Sequence, residues 1–347
     1  MSPSARPFTI IGENIHTSRV VRRDGARIAT LPDGRAAVRV PTGPGSEALL
    51  PVPDAVQNTR EFVSGRVKHV MTAVLEGLTG GPNAGLAATY VRWMASRQIV
   101  GGATYLDLNV DEVSPEVDER CAAMTWLVSV VGPTSSIPLS LDSSDSAVIA
   151  AGLASYDPAW ANGAAPLINS ASVERPDVLA MAVGRNSPVV LSCTGATMPT
   201  DTEERMVRAI EIIELARAAG VALTDLHVDP LVIPIGVDAM AGTAYMDAIR
   251  QLRERYGPDP HITGGISNIS FGMPNRRLIS DVFLDLCVEA GLDSGIVDPV
   301  AADIGRALAP DRSDPHYRLA ADLLLGVDAF GVEYLEAYRA GRFDGPS

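Results

Sequence analysis

Six of the eight short apolar segments in this sequence end in carboxylate or carboxamide side chains. These residues are Glu13 and Asn14, Asp107 and Asn109, Asp142, Asn169, Asp229, and Asn268. Carboxylates only accept hydrogen bonds, whereas carboxamides donate and accept, so the mixture suits a flat heterocycle such as a pterin or a purine. The glycine-rich loops and basic residues that bind phosphate are scarce at these positions. The three carboxylates Asp107, Asp142 and Asp229 leave a divalent metal site open as the alternative.

The segments that carry these residues alternate with stretches of helical periodicity, such as residues 201–220. The apolar segments are residues 8–15, 104–111, 138–143, 166–172, 188–194, 226–232, 261–270 and 294–300. Eight β-then-α units predict an α/β fold, the (β/α)8 TIM barrel, with a doubly wound open sheet as the alternative. In a barrel the polar strand ends point toward one mouth. Capping of the following helix would explain any one of them singly.

Two segments depart from the repeating pattern of one domain over residues 1–347. Residues 17–60 are inserted after the first strand, and ARIATLPDGRAAVRV at 26–40 predicts a hairpin with Pro-Asp-Gly at its turn. Because the insertion follows a barrel strand, we expect it on the active-site face, as a surface loop, a lid or a partner contact. Residues 314–341 are predicted to be helical, and either to close the barrel or to form a dimer face.

The composition argues against several classes of function. A formal net charge of −14 opposes sequence-independent binding of nucleic acid. Lys68 is the single lysine, which leaves little scope for Schiff-base or P-loop chemistry. The three cysteines form no CxxC pair. The absence of a secretory signal, and of an apolar run near the roughly 18–20 residues that span a bilayer, predicts a cytoplasmic protein without membrane contact.

Six motifs, in order, carry a resemblance to a known family. They are IGENI, YLDLNV, LSLDSS, LINSAS, HVDPLVIP and GGISNISFGMPNRRLIS. The sequence resembles the pterin-binding barrel enzymes, and most closely the methyltetrahydrofolate:corrinoid methyltransferases, which include the folate module of cobalamin-dependent methionine synthase. The likeness covers residues 8–16 and about 66–335, and the insertion departs from it. The dihydropteroate synthase branch fits less well, because Gly264 and Gly265 stand where that branch has a lysine.

The resemblance implies roles for single residues. Asp142 and Asn169 would hydrogen-bond the pterin, Asp229 would accept from its amino and ring N–H groups, and Asn268 would reach the nitrogen that bears the methyl group. Arg276 or Arg277 would lie beside the folate or steady the loop. The predicted folate-binding residues are Glu13, Asp107, Asn109, Asp142, Asn169, Asp229, Gly265, Ser267, Asn268, Arg276 and Arg277.

The implied reaction moves a methyl group between methyltetrahydrofolate and the cobalt of cob(I)alamin, in a direction that the sequence leaves open. Asn268 is the predicted catalytic residue, with Asp142 or a water molecule as the proton source and His16 as a second candidate for the site. Because the chain lacks a DxHxxG cobalamin signature, the corrinoid is expected on a partner protein. A homodimer is also expected. A non-catalytic tetrahydrofolate-binding barrel and a metal-dependent barrel lyase or aldolase remain alternatives.

Overall fold

The computed structural model describes residues 7–195, 197–199 and 201–343. In chain order the strands are β1 (Thr9–His16), β2 (Val20–Arg22), β3 (Ile28–Thr30), β4 (Ala36–Gly43), β5 (Ser46–Pro51), β6 (Arg66–Lys68), β7 (Tyr105–Asn109), β8 (Leu139–Asp142), β9 (Leu167–Ala171), β10 (Val189–Ser192), β11 (Leu226–Asp229), β12 (His261–Ile262) and β13 (Ser294–Val297).

The α-helices are distributed between the strands. They are α1 (Asp54–Gln57), α2 (Arg60–Val63), α3 (His69–Leu78), α4 (Ala84–Val100), α5 (Val117–Val131), α6 (Ser146–Ser155), α7 (Asp177–Arg185), α8 (Thr202–Ala219), α9 (Ala241–Tyr256), α10 (Arg276–Ala290), α11 (Ile304–Ala307), α12 (Pro315–Leu324) and α13 (Val332–Arg339).

The main sheet contains eight parallel strands with helices between them, in the order β12-β11-β10-β9-β8-β7-β1-β13. Each of the eight apolar segments predicted from the sequence contains one of these strands. At the two ends of that order, the amide of Ile296 donates to the carbonyl of Gly264 over 2.9 Å, beyond the end of β12. The predicted (β/α)8 barrel is therefore confirmed.

The chain divides into two compact units. The N-terminal unit comprises Ile11–Ser170 and Arg185–Ser187, and the C-terminal unit comprises the residues up to Ile10, Ala171–Gly184 and the residues from Pro188 onward. Each unit has its own buried strand residues. In the N-terminal unit these include Leu106, Leu108, Leu139 and Leu141, and in the C-terminal unit Leu191, Leu226, Val228 and Ile262.

The insertion after β1 is a small β-structure within the N-terminal unit. β3 and β4 form the predicted hairpin, in which the Leu31 amide donates to the Arg35 carbonyl over 2.8 Å. A third antiparallel strand, β5, was not predicted, and β2 pairs separately with β6. The Arg27 guanidinium lies 4.5 Å from the centre of the Trp93 ring on α4, which ties the insertion to that helix. Its predicted place on the active-site face stays a prediction.

The segment predicted to be helical at 314–341 contains two helices, α12 and α13, which a short 3-10 turn at Ala329–Gly331 separates. Phe330 lies in the left-handed region, with φ 59°, and interrupts the helical path. Asp328 accepts hydrogen bonds from the amides of Glu333 and Tyr334, which fixes the start of α13. Among the helices in the described part of the chain, none is long and apolar enough to cross a membrane.

Candidate folate site

In the N-terminal unit, strand register aligns four polar residues in one row. His16 of β1 pairs with Asn109 of β7, Asn109 with Asp142 of β8, and Asp142 with Asn169 of β9. His16, Asn109 and Asp142 are the last residues of their strands, and Asn169 lies two residues before the end of β9. Because paired residues of neighbouring parallel strands project to the same face, the row brings together side chains that are far apart in the sequence.

Asp107 lies two residues before Asn109 on β7 and forms hydrogen bonds with residues of this row. Its side chain is fully buried and accepts from His16 Nε2 at 2.6 Å, from Ser140 Oγ at 2.5 Å and from Asn169 Nδ2 at 3.3 Å. A buried carboxylate with three donors has its hydrogen-bonding capacity largely satisfied inside the protein. The three contacts occupy Asp107 within the protein, and its supporting role at the folate site stays a prediction.

Asp142 is more open than Asp107. Its side chain is 23% exposed, and its Oδ2 atom accepts from Asn109 Nδ2 at 3.0 Å and lies 3.6 Å from His16 Nε2. Within the described part of the chain, its Oδ1 atom makes no hydrogen bond. Burial and the charge of Asp107 raise the pKa of Asp142 to about 7, although His16 and Asn109 oppose the rise. This carboxyl group can therefore exchange a proton near neutral pH.

His16 is the cation of the cluster. Burial alone would lower the pKa of its imidazole, but the hydrogen bond to Asp107 and the charges of Asp107, Asp142 and Glu13 raise it to about 9. At neutral pH the ring is therefore an imidazolium held between two carboxyl groups. The sequence offered His16 only as a second candidate, whereas the structure places it between the carboxyl groups of Asp107 and Asp142.

His16, Asp107 and Asp142 also form the one grouping of possible metal ligands among the described residues, with ligand atoms within 4.8 Å of one another. Two atoms that bind one zinc ion at about 2.0–2.2 Å stand about 3 Å or more apart. The 2.6 Å contact between His16 and Asp107 is shorter and is a hydrogen bond. Asp229, the third carboxylate of the metal alternative, is not in this grouping. We therefore describe the three residues as an acid–base cluster.

Glu13, the remaining candidate on β1, lies beside Arg19, with 3.3 Å between Oε1 and Nη1. Its charge acts on His16. Asn14 has a buried side chain whose Oδ1 atom has no hydrogen-bond partner among the described residues, and its backbone amide donates to Gln98 Oε1 at 3.0 Å. Glu13 therefore contributes charge to the row from the same strand.

In the C-terminal unit, Asp229 ends β11. Its Oδ1 atom accepts from the amide of Leu231 at 2.8 Å, and its Oδ2 atom makes no hydrogen bond to any described residue. Burial raises the pKa of Asp229 to about 7, and the Leu231 bond opposes the rise. One fixed oxygen and one unbonded oxygen suit a carboxylate that receives N–H donors from a ligand.

The strand predicted at 261–270 is shorter than expected. β12 ends at Ile262, and Ile266–Ser270 form a 3-10 turn. The backbone N–H of Asn268 donates to the Gly265 carbonyl at 3.0 Å in this turn. The two glycines allow the backbone to leave the strand. A Cβ atom added at Gly265 would lie 2.7 Å from Nδ2 of Asn268, so a larger residue at this position would displace the side-chain amide. Asn268 therefore follows a strand end on a turn, and does not lie on the strand itself.

The Asn268 side chain is exposed, and its carboxamide group makes no hydrogen bond to any described residue. The neighbouring Ser267 contributes its carbonyl, which accepts from Ser270 Oγ at 3.0 Å and from Arg276 Nη2 at 3.0 Å. The turn is thus held through its backbone, while the Asn268 amide remains available to a ligand.

The two predicted arginines have different surroundings. Arg276 donates to Ser270 Oγ at 3.2 Å and to the Ser267 carbonyl, so it braces the turn that carries Asn268. Arg277 lies 3.5 Å from Asp281 one helical turn along α10, and its side chain is 52% exposed. Arg276 therefore matches the loop-steadying role, whereas Arg277 forms an ordinary surface ion pair.

A profile of the pterin-binding enzymes matches residues 88–298. The chain belongs to the pterin-binding enzyme family. The predicted family is therefore confirmed, and the matched region includes every strand of the main sheet except β1.

Relatives of this pterin-binding enzyme include a methylcorrinoid:tetrahydrofolate methyltransferase and two methionine synthases. The methylcorrinoid:tetrahydrofolate methyltransferase of Eubacterium limosum is 30% identical over 259 residues, which cover 73% of this chain and 88% of the relative. The methionine synthase of Mycobacterium tuberculosis is 32% identical over 239 residues, 64% of this chain. That of Mycobacterium leprae is 32% identical over 220 residues, 59% of this chain. The matches span only 19% and 17% of those two methionine synthases.

Solved structures of dihydropteroate synthase from Xanthomonas albilineans share the fold. The complex with 7,8-dihydropteroate has a TM-score of 0.51 at 22% identity and covers 64% of this chain and 83% of that chain. The complex with 4-aminobenzoic acid has a TM-score of 0.52 at 20% identity and covers 66% and 86%. At these identities the likeness concerns the fold alone.

Proposed function

We propose that this pterin-binding enzyme transfers a methyl group between methyltetrahydrofolate and the cobalt of a corrinoid carried by a partner protein. The observation that carries the proposal is the exposed, unbonded amide of Asn268 on a braced turn after β12. Two relatives of known name, a methylcorrinoid:tetrahydrofolate methyltransferase and a methionine synthase, support it.

The chemistry explains why an amide is useful at this position. A neutral tertiary amine is a poor leaving group, so its nitrogen must gain a proton or a stronger hydrogen bond before the methyl group departs. A preorganised amide whose hydrogen bond strengthens as charge changes on that nitrogen stabilises the transition state more than the ground state. When bound, the corrinoid supplies the cobalt that accepts or donates the methyl group.

The strand-end carboxyl groups account for pterin recognition in this proposal. The Asp229 oxygen that has no partner among the described residues would accept hydrogen bonds from the amino and ring N–H groups of the pterin. The corresponding oxygen of Asp142 would hydrogen-bond the pterin as well. Asn169 and Asn109 would support that row. That both groups bind one folate stays a prediction, as do the homodimer, the cytoplasmic location and the corrinoid partner.

An anaerobic assay tests the function in both directions. The protein is mixed with isotopically labelled methyltetrahydrofolate and cob(I)alamin, or with labelled methylcobalamin and tetrahydrofolate, and the label is followed into the product by chromatography. Transfer in either direction supports the proposal and identifies the favoured direction. Tight binding of tetrahydrofolate without transfer would instead indicate the non-catalytic alternative.

A chelator separates the metal-dependent alternative. Methyl transfer by the residues described above should continue unchanged in the presence of EDTA, because none of the roles proposed for them uses a metal ion. Loss of activity with chelator and recovery with a divalent cation would favour a metal-dependent enzyme.

A further inference from the structure

His16 joins two carboxyl groups on two other strands. Its Nε2 atom is 2.6 Å from Oδ2 of Asp107 on β7 and 3.6 Å from Oδ2 of Asp142 on β8. In the strand register His16 pairs with Asn109, whose side chain donates to Asp142, and the hydrogen bond to Asp107 holds the ring. Its side chain is 19% exposed, so the imidazole lies mostly inside the row of polar strand ends.

Each strand that faces the imidazole contributes an acidic group. Asp107 comes from β7, Asp142 from β8, and Glu13 from the same strand as His16. Arg19 pairs with Glu13, and the charge of Asp111, two residues after β7, also raises the pKa of Asp142. Asp107 is occupied by three donors, so Asp142 is the member of the cluster with a free oxygen and partial exposure.

The two carboxyl oxygens of Asp142 have different surroundings. Oδ2 faces Asn109 and His16, whereas Oδ1 has no partner among the described residues. A cation at 3.6 Å favours the ionised carboxylate, and a neutral residue in its place would favour the protonated acid. The charge of residue 16 therefore controls the proton occupancy of Asp142, whereas the hydrogen bond from Asn109 orients its carboxyl group.

We propose that His16 is a positioning residue that acts on the folate through Asp142, because its charge tunes the proton that this carboxyl group exchanges with the folate. The inference rests on the proposed function and adds a residue to it. In the direction from folate, Asp142 gives its proton to the nitrogen as the N–CH3 bond breaks. The methyl group leaves for cob(I)alamin, and the resulting carboxylate remains beside the imidazolium.

In the reverse direction, the nitrogen of tetrahydrofolate receives a methyl group from methylcobalamin and loses its proton. Asp142 accepts that proton, and cob(I)alamin is released. The same atoms take part in both directions, so the role of His16 does not depend on which direction the cell uses. Among the described residues, the side-chain ion pairs of His16 are with these two carboxyl groups, and it acts on the folate through Asp142.

The experiment replaces His16 with glutamine, which removes the charge, and with lysine, which restores a cation. The pH midpoint of the Asp142 carboxyl carbon is followed by NMR in the free protein, and the Asp142→Asn variant assigns the signal. The wild-type midpoint should lie near pH 7. In His16→Gln it should rise by about one pH unit, because an adjacent opposite charge shifts a pKa by about 1–3 units. His16→Lys should return it toward the wild-type value.

A matched control and an activity measurement complete the test. His316→Gln makes the same chemical change at an exposed histidine that bonds the Arg342 carbonyl, and it should leave the midpoint unchanged. At pH 7, His16→Gln should slow methyl transfer from methylcobalamin to tetrahydrofolate about fivefold, because a midpoint one unit higher lowers the ionised fraction of Asp142 from about one half to about one tenth. His16→Lys should recover part of that rate. A midpoint that stays unchanged in folded His16→Gln protein would overturn the role of His16. A wild-type enzyme without methyl transfer would instead overturn the proposed function, and the midpoint would still be measurable.

Discussion

Replacing Asp229 by asparagine should weaken tetrahydrofolate binding while leaving the fold of the strand end intact. In Asp229→Asn the amide oxygen can still accept from the Leu231 amide, as Oδ1 of Asp229 does at 2.8 Å. The new NH2 group then replaces Oδ2, the oxygen without a partner among the described residues, and meets the N–H donors of the pterin edge. A charged acceptor is thus exchanged for a donor that repels them.

The size of the effect follows from the strength of charge-assisted hydrogen bonds, which contribute about 1.5–3 kcal/mol each. One lost bond corresponds to a dissociation constant about 10–150 times larger, since about 1.4 kcal/mol is a factor of ten. Isothermal titration calorimetry at pH 8 measures this change. Asp225→Asn provides the matched control, because it makes the same substitution just before the amino end of β11.

The pH dependence gives a second readout of the same residue. Because burial raises the pKa of Asp229 to about 7, the carboxylate is about 90% ionised at pH 8 and about 10% ionised at pH 6. Wild-type affinity should therefore fall about tenfold between these pH values through Asp229, and Asp229→Asn should lose that component. Unchanged affinity in Asp229→Asn at pH 8 would show that this carboxylate does not hold the ring.

The folding stability of the ligand-free protein should fall as pH rises, whereas its folate affinity should increase. A carboxyl group whose folded pKa lies above its unfolded value destabilises the native state increasingly as pH rises from about 4 to about 7. The cost grows by at most about 1.4 kcal/mol per pH unit. Asp229→Asn should therefore match the wild type near pH 4 and exceed it in denaturant stability at pH 8.

Three further predictions concern the turn after β12. Asn268→Ala should slow single-turnover methyl transfer about 10²–10³-fold and affect the calorimetric folate affinity much less, because the amide acts mainly in the transition state; equal losses in both would point to simple binding. Gly265→Ala should slow transfer by a smaller factor, because its Cβ would lie 2.7 Å from Nδ2 of Asn268 and the amide must move away from it; a wild-type rate would contradict that packing. Arg276→Ala should lower the transfer rate because it removes two hydrogen bonds that hold this turn. Arg277→Ala is its matched control and should change both stability and transition-state free energy by no more than about 0.5 kcal/mol, as surface ion pairs do. A larger loss of rate in Arg277→Ala than in Arg276→Ala would refute the role of Arg276.

The eight barrel strands could be predicted because each is a short apolar segment bounded by polar residues and followed by a helical pattern. The polar strand ends could be identified for the same reason. β5 was missed because its place depends on a hairpin with β4 that begins at Gly43 and Ser46, and its own residues have no strong strand signature. The end of β12 was misplaced because the apolar residues Ile266 and Ile269 continue past the glycines into a turn.

The role of His16 could not be deduced from local sequence. Its partner Asp107 lies 91 residues away, and the register of β1 against β7 shifts between Gly12 and Ile15. Such a shift breaks the alternation of faces on which a sequence argument depends. Only the assembled sheet brings His16 beside Asn109 and makes it a neighbour of two carboxyl groups.

Anaerobic stopped-flow absorbance of the enzyme with methyltetrahydrofolate and cob(I)alamin tests the central claim most directly. The cob(I)alamin spectrum should convert to that of methylcobalamin in one enzyme-dependent phase, or methylcobalamin should convert to cob(I)alamin when tetrahydrofolate is supplied. Asn268→Ala should slow that phase about 10²–10³-fold at saturating folate. An enzyme that binds folate but produces no spectral change in either direction, with free or protein-bound corrinoid, would contradict the proposed methyl transfer.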